Sequence, residues 1–118
     1  MRHGNHKYKL GVKPQHRKAL VQGLCNDLIA HGKIKTTETK AKAIKPFIEK
    51  LVTLAKVDTI ANRRLAFTKL NNKNAVKALF DTVAPKFKQR PGGYTRLLKI
   101  AEPRLGDGAK EAIIAFVE

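Results

Sequence analysis

A chain of 118 residues with 25 lysines and arginines against nine aspartates and glutamates cannot neutralise its own surface, and its net charge is +16. Cations held that densely on a small folded body repel one another, and a polyanionic partner is the simplest way to relieve the repulsion. Nucleic acid fits that requirement ahead of an anionic membrane surface. The rest of the composition is that of a folded protein. Hydrophobic residues make up 42%, enough for one ordinary core, while the length is too short for two.

The charge is also segregated. Arg2, Lys7, Lys9, Lys13, Arg17 and Lys18 fall in the first 18 residues with His3, His6 and His16, and no acid precedes Asp27. Apolar residues are too sparse there to build a core, so residues 1–13 are expected to be a flexible basic arm and residues 14–118 one globular domain.

Several functions fall away. Cys25 is the single cysteine, which excludes an intrachain disulfide and a cysteine zinc site, and its apolar neighbours suit an inert buried thiol. The longest apolar run, residues 112–117, is far short of the roughly 20 residues a membrane span needs. The basic start has no apolar stretch behind it and does not read as a secretory signal, so a reducing cytoplasmic compartment is expected. The acids are scattered, without a pair suited to two-carboxylate catalysis, and Gly92-Gly93 is followed by no Lys-Ser/Thr of a nucleotide-binding loop. His3, His6 and His16 sit among cations with no carboxylate or cysteine nearby, which disfavours a metal. No catalytic residue, cofactor or small-molecule substrate is expected.

Periodicity supplies the elements. Leu20, Leu24 and Leu28, flanked by Val21, Cys25 and Ile29, form one stripe of a helix that starts near Pro14 and ends at Gly32. His16, Arg17 and Lys18 put positive charge at its positive end, which local energetics disfavour and bound phosphate would reverse. Lys33–Thr37 reads as a short strand, after which Thr37 caps a second helix with Ala41, Ile44, Ile48, Leu51, Val52 and Ala55 inward. Pro46 predicts a kink or interruption in it. Asp58 is expected to cap a third helix that runs to about Leu70 and is broken at Asn71 and Asn72. Val76, Leu79, Phe80 and Val83 mark a fourth, with Pro85 as its stop. Strands are expected over residues 94–101 and 112–117, paired antiparallel, with Lys33–Thr37 at an edge. The predicted fold is thus α+β in two layers, a small three-stranded sheet packed on helices.

Three basic regions stand out, beginning with the arm and the first helix's entry. The second is the strand-to-helix corner, where Thr36 and Thr37 can bond phosphate oxygens and Lys35, Lys40 and Lys42 neutralise them, although the same residues fit a helix cap and a solvated face. The third, residues 86–104, has six cations against Glu102 alone. Gly92 and Gly93 allow close approach of a sugar-phosphate chain, Arg90, Arg96 and Arg104 offer planar forks, and Tyr94 is either a stacking ring or a core residue. Arg63 and Arg64 are a fourth contact or a plain solvated face.

Read in order, Met1-Arg2-His3, His16-Arg17-Lys18-Ala19-Leu20, Ile34-Lys35-Thr36-Thr37 with Lys40-Ala41-Lys42, Asn62-Arg63-Arg64-Leu65-Ala66-Phe67, Arg90-Pro91-Gly92-Gly93-Tyr94-Thr95-Arg96 and Arg104-Leu105-Gly106-Asp107 resemble bacterial large-subunit ribosomal protein seventeen across essentially the whole chain. The resemblance implies a structural, non-enzymatic constituent of the large ribosomal subunit that binds its major RNA near the nascent-chain tunnel exit and touches neighbouring ribosomal proteins. It implies the order helix–strand–three helices–two strands, matching the periodicity. With 6% aromatic residues, recognition of RNA shape through phosphates and 2′-hydroxyls is expected, rather than of splayed bases. An architectural DNA-binding protein is the alternative that the charge equally permits.

Overall fold

The computed structural model describes residues 14–117. The order is α1 (Pro14–His31), β1 (Lys33–Thr37), α2 (Glu38–Ala55), α3 (Ile60–Leu70), α4 (Lys73–Ala78), β2 (Thr95–Lys99) and β3 (Glu111–Phe116), the α+β arrangement expected. α4 runs on as a π turn over Leu79–Val83 and a 3-10 turn over Ala84–Phe87. Residues 1–13, on which the expected arm falls, lie outside the described residues.

α1 buries its predicted stripe from Cys25 to Ile29, with Val21 and Leu24 partly covered. It ends where Gly32 takes the left-handed conformation, φ 80°, and its N–H donates to the Leu28 carbonyl at 2.7 Å. Burial pushes the Cys25 thiol up to about 12. The folded protein is therefore expected to resist an aromatic disulfide reagent at pH 8 and to react fully once unfolded in urea; rapid labelling of the native state would show that α1 opens.

α2 starts as predicted. The Thr37 hydroxyl accepts from the Lys40 N–H at 3.4 Å, and the six apolar residues read from the sequence are all buried. Pro46 does not interrupt the helix. It lies on the exposed side, where water can satisfy the carbonyl that its ring leaves unbonded. The cap of α3 is Thr59 rather than Asp58. Thr59 is extended and accepts from the Asn62 N–H at 3.1 Å, while the Asp58 carboxylate turns to Arg63. Asn71 closes α3 in the left-handed region at φ 52°, and the Asn72 side chain accepts from the Ala75 N–H to open α4.

Val76, Leu79, Phe80 and Val83 are buried as expected, but Pro85 does not stop the helical path. The π turn, bonded from the Ala84 N–H to the Leu79 carbonyl, ends first, and Pro85 sits in the opening turn of the 3-10 segment, where its missing N–H costs nothing. The sheet has the order β1-β3-β2, antiparallel throughout, with the apolar strand central and Lys33–Thr37 at an edge. β2 is shorter than the predicted 94–101. Its one face and that of β3, including Leu97, Ala112 and Ile114, meet α2; α1 and α3 pack against α2 in turn, and α4 against α1 and α3. Among the described residues no helix packs on the other face of the sheet.

Candidate nucleic-acid interface

The pleat decides which cations share a surface. Ile34 and Thr36 lie opposite Ile114 and Ala112 on the inward face, so Lys33, Lys35 and Thr37 turn to the open face. Across the sheet Arg96 joins them: Lys33 and Arg96 are both in register with Ala115, two strand spacings or about 10 Å apart. Lys33, Lys35 and Arg96 are exposed and, among the described residues, make no ion pair. Thr36, which points inward, is withdrawn from that surface.

The corner at the start of α2 offers less than the sequence suggests. The Glu38 N–H donates to the Lys110 carbonyl at 2.9 Å and the Lys40 N–H is taken by Thr37, so few of the helix's first donors stay open. Lys42 pairs with Glu38 at 2.8 Å, and Lys99 reaches the same carboxylate at 3.4 Å. These two cations, Lys42 foremost, hold the Glu38 carboxyl below its ordinary range. Lys42 is thus partly neutralised inside the protein, and Lys35 and Lys40 carry the corner's outward charge.

The Gly-Gly loop is held from below by α2, through side chains that no local pattern ties to it. Glu49, Thr53 and Lys56 lie at i, i+4 and i+7, on one face. The Glu49 carboxylate accepts from the Tyr94 N–H at 2.9 Å, the Thr95 N–H at 3.0 Å and the Thr95 hydroxyl at 2.7 Å. The Thr53 hydroxyl donates to the Tyr94 hydroxyl at 3.2 Å, and the Lys56 ammonium lies over the Tyr94 ring at 4.6 Å and donates to the Arg90 carbonyl. Lys56 and then Thr53 lower the Tyr94 hydroxyl below the usual phenol value. Both ends of the loop are thus anchored, which leaves Arg90 exposed at one end. Gly93 takes φ 64°, and space is open where side chains of Gly92 and Gly93 would stand.

Four predicted contacts have other employment. Tyr94 is 1% exposed and packs against Phe87 at 5.4 Å between ring centroids, so it is a core residue with no face for a base. Arg63 bonds Asp58 through two nitrogens, at 2.7 and 2.8 Å, reaches Asp81 at 2.8 Å and stacks over Phe80, which ties α3 to the π turn. Both carboxylates raise its pKa, Asp58 first. Arg104 pairs with Asp107 and closes the turn between β2 and β3. Lys42 is engaged by Glu38 as described. Arg64 remains exposed. No local signal marks Asp81 or Glu49 as partners, because they meet their targets 18 and 46 positions away.

The basic regions do not merge. His16, Arg17 and Lys18 begin α1, while Lys33 follows its far end, and 18 helical residues span about 27 Å. His16 and Lys18 are exposed and Arg17 is half-buried. Arg2, His3, Lys7, Lys9 and Lys13 lie outside the described residues. The described surface thus presents separate cationic stations around one scaffold. Among the described residues there is no group of three or more histidines, cysteines or acids that could hold a metal, and no helix is long and apolar enough to cross a membrane.

Comparison with known proteins gives a consistent result. Residues 20–117 match the family model described as Ribosomal protein L17. The chain is 49% identical over 118 residues to the large ribosomal subunit protein bL17 of Methylacidiphilum infernorum, covering all of this chain and 89% of that protein. It is 50% identical over 116 residues to the protein of the same description from Lawsonia intracellularis, covering 98% and 92%. The corresponding protein of a Sulfurihydrogenibium species is 47% identical over 118 residues, covering 100% and 98%.

Proposed function

The chain belongs to the ribosomal protein L17 family and is a component of the large ribosomal subunit, and from that membership we propose that it clamps the subunit's major RNA in its folded form. The observation that carries this is the open sheet face, where Lys33, Lys35 and Arg96 stand exposed and unpaired among the described residues. Arg90 and the uncovered backbone of Gly92 and Gly93 extend the surface, and Lys40 and the entry of α1 supply stations on other sides. Phosphates from RNA helices that would otherwise repel one another meet cations whose spacing the scaffold fixes. The cations Arg2, Lys7, Lys9 and Lys13 add further phosphate contacts beside the globular domain. The particle is bacterial in type and cytoplasmic, and the protein's position is near the nascent-chain tunnel exit, beside other ribosomal proteins. No step of this function breaks or makes a covalent bond.

Sedimentation tests it. The protein is expected to travel with large subunits at low salt and to be stripped only by concentrated salt. Binding to isolated large-subunit RNA should weaken by roughly a thousandfold between about 50 and about 200 mM salt, as for six neutralised phosphates. Equal or tighter binding to duplex DNA at matched salt would instead favour a DNA-architectural role.

A further inference from the structure

Helix α3 is packed in an inverted manner. The residues it buries in the core are Ala66 and Leu70, while Ile60 is 73% exposed, Leu65 52% and Phe67 38%. A surface helix that turns its bulky apolar residues outward has a second apolar contact to make. Ile60, Arg64 and Phe67 follow one another at i, i+4 and i+7, and with Arg63, Thr68 and Lys73 they line a groove of about 510 Å³. Its floor is carbon and its rim cationic. Arg64 and Lys73 are exposed and make no ion pair among the described residues, whereas Arg63, which lines the same groove, is spent on Asp58 and Asp81.

We propose that this groove docks a neighbouring protein of the large subunit, through a segment that presents an apolar side chain between acidic ones. The inference rests on the ribosomal reading and adds to it a protein-binding surface distinct from the cationic sheet face. α3 packs on α1, α2 and α4, so its outer face is turned away from the sheet. RNA suits the groove less well, because Ile60, the most exposed of its side chains, offers no ring for a base to stack on, and Phe67, at 38%, shows only part of its ring. A second copy of the chain would bring +16 against +16. An acidic, apolar segment satisfies both parts: its side chain fills the floor, and its carboxylates meet Arg64 and Lys73.

The test uses the whole chain in assembled subunits. A photoreactive benzophenone residue replaces Thr68 on the groove rim, purified large subunits are irradiated, and the adduct is sequenced. The expected product joins Thr68 to a ribosomal protein segment with an apolar residue flanked by Asp or Glu. Combining Ile60→Ser with Phe67→Ser should cut its yield by about tenfold or more, with helical circular dichroism retained and binding to large-subunit RNA unchanged, since neither change alters the charge. An adduct with RNA, with a second copy, with a segment lacking acids, or no adduct at all overturns the docking while leaving RNA binding intact. If the chain does not sediment with the subunit, the ribosomal reading itself fails, and the docking with it.

Discussion

Glu49→Ala is expected to cost the fold about 3 kcal/mol or more and to loosen the Gly-Gly loop at the same time. The carboxylate accepts three hydrogen bonds, from the N–H groups of Tyr94 and Thr95 and from the Thr95 hydroxyl. Tyr94 is 1% and Thr95 4% exposed, so water cannot readily replace the lost acceptor. A buried donor left unsatisfied costs about 1–3 kcal/mol, and bonds to a charged acceptor lie at the upper end. Glu49→Gln keeps one acceptor oxygen and the side chain's shape, so it should cost about 1–2 kcal/mol. Urea unfolding monitored by circular dichroism reads both, as a fall in midpoint at unchanged slope. RNA binding should fall as well, because Arg90 and the glycine backbone lose their anchored positions. An unchanged midpoint for Glu49→Ala would mean that the loop keeps its shape through Lys56 and Thr53 alone.

The second large effect separates cations that face outward from one that is structural. Lys35→Glu combined with Arg96→Glu reverses two charges on the open sheet face without disturbing a described ion pair. Affinity for large-subunit RNA is expected to drop by about 100-fold or more at moderate salt, with the logarithmic salt slope shallower by about 1.5 for the two lost contacts. Stability should change by less than about 0.5 kcal/mol, as is usual for exposed substitutions. Arg63→Ala should do the opposite. It breaks a link between α3 and the π turn and uncovers Phe80, lowering stability while leaving the salt slope near its original value. Filter binding across a salt series, paired with urea unfolding, distinguishes the two. If Arg63→Ala changes the slope and the sheet-face pair does not, the interface is misplaced.

These two sets of residues also show what the sequence could and could not disclose. Features with local causes were legible. The stripe from Leu24 to Ile29, the stop at Gly32, the Thr37 cap, the inward face of α2 and the central apolar strand each follow from a spacing of a few residues. Features decided at long range were not. Asp58 and Thr59 are both good caps side by side, and the choice was made by Arg63, which draws Asp58 away and is itself drawn by Asp81. Tyr94 stands in a basic, glycine-rich stretch that looks solvent-facing until α2 is laid across it. Glu49 looks like one more surface acid on an amphipathic helix until its partners arrive 45 and 46 residues later. Charge composition is visible in a string of letters, but its internal use is not.

The position of β3 between β1 and β2 has a consequence for how the protein is made. The two outer strands share no hydrogen bond with each other, and residues 33–37 must wait for residues 111–116 before they gain a neighbour. During synthesis both outer strands emerge first, with unfilled edges on which other chains can template. The sheet cannot close until the centre strand is available to pair with both. A ribosome stalled before residue 111 would hold a half-built intermediate rather than a smaller version of the finished protein.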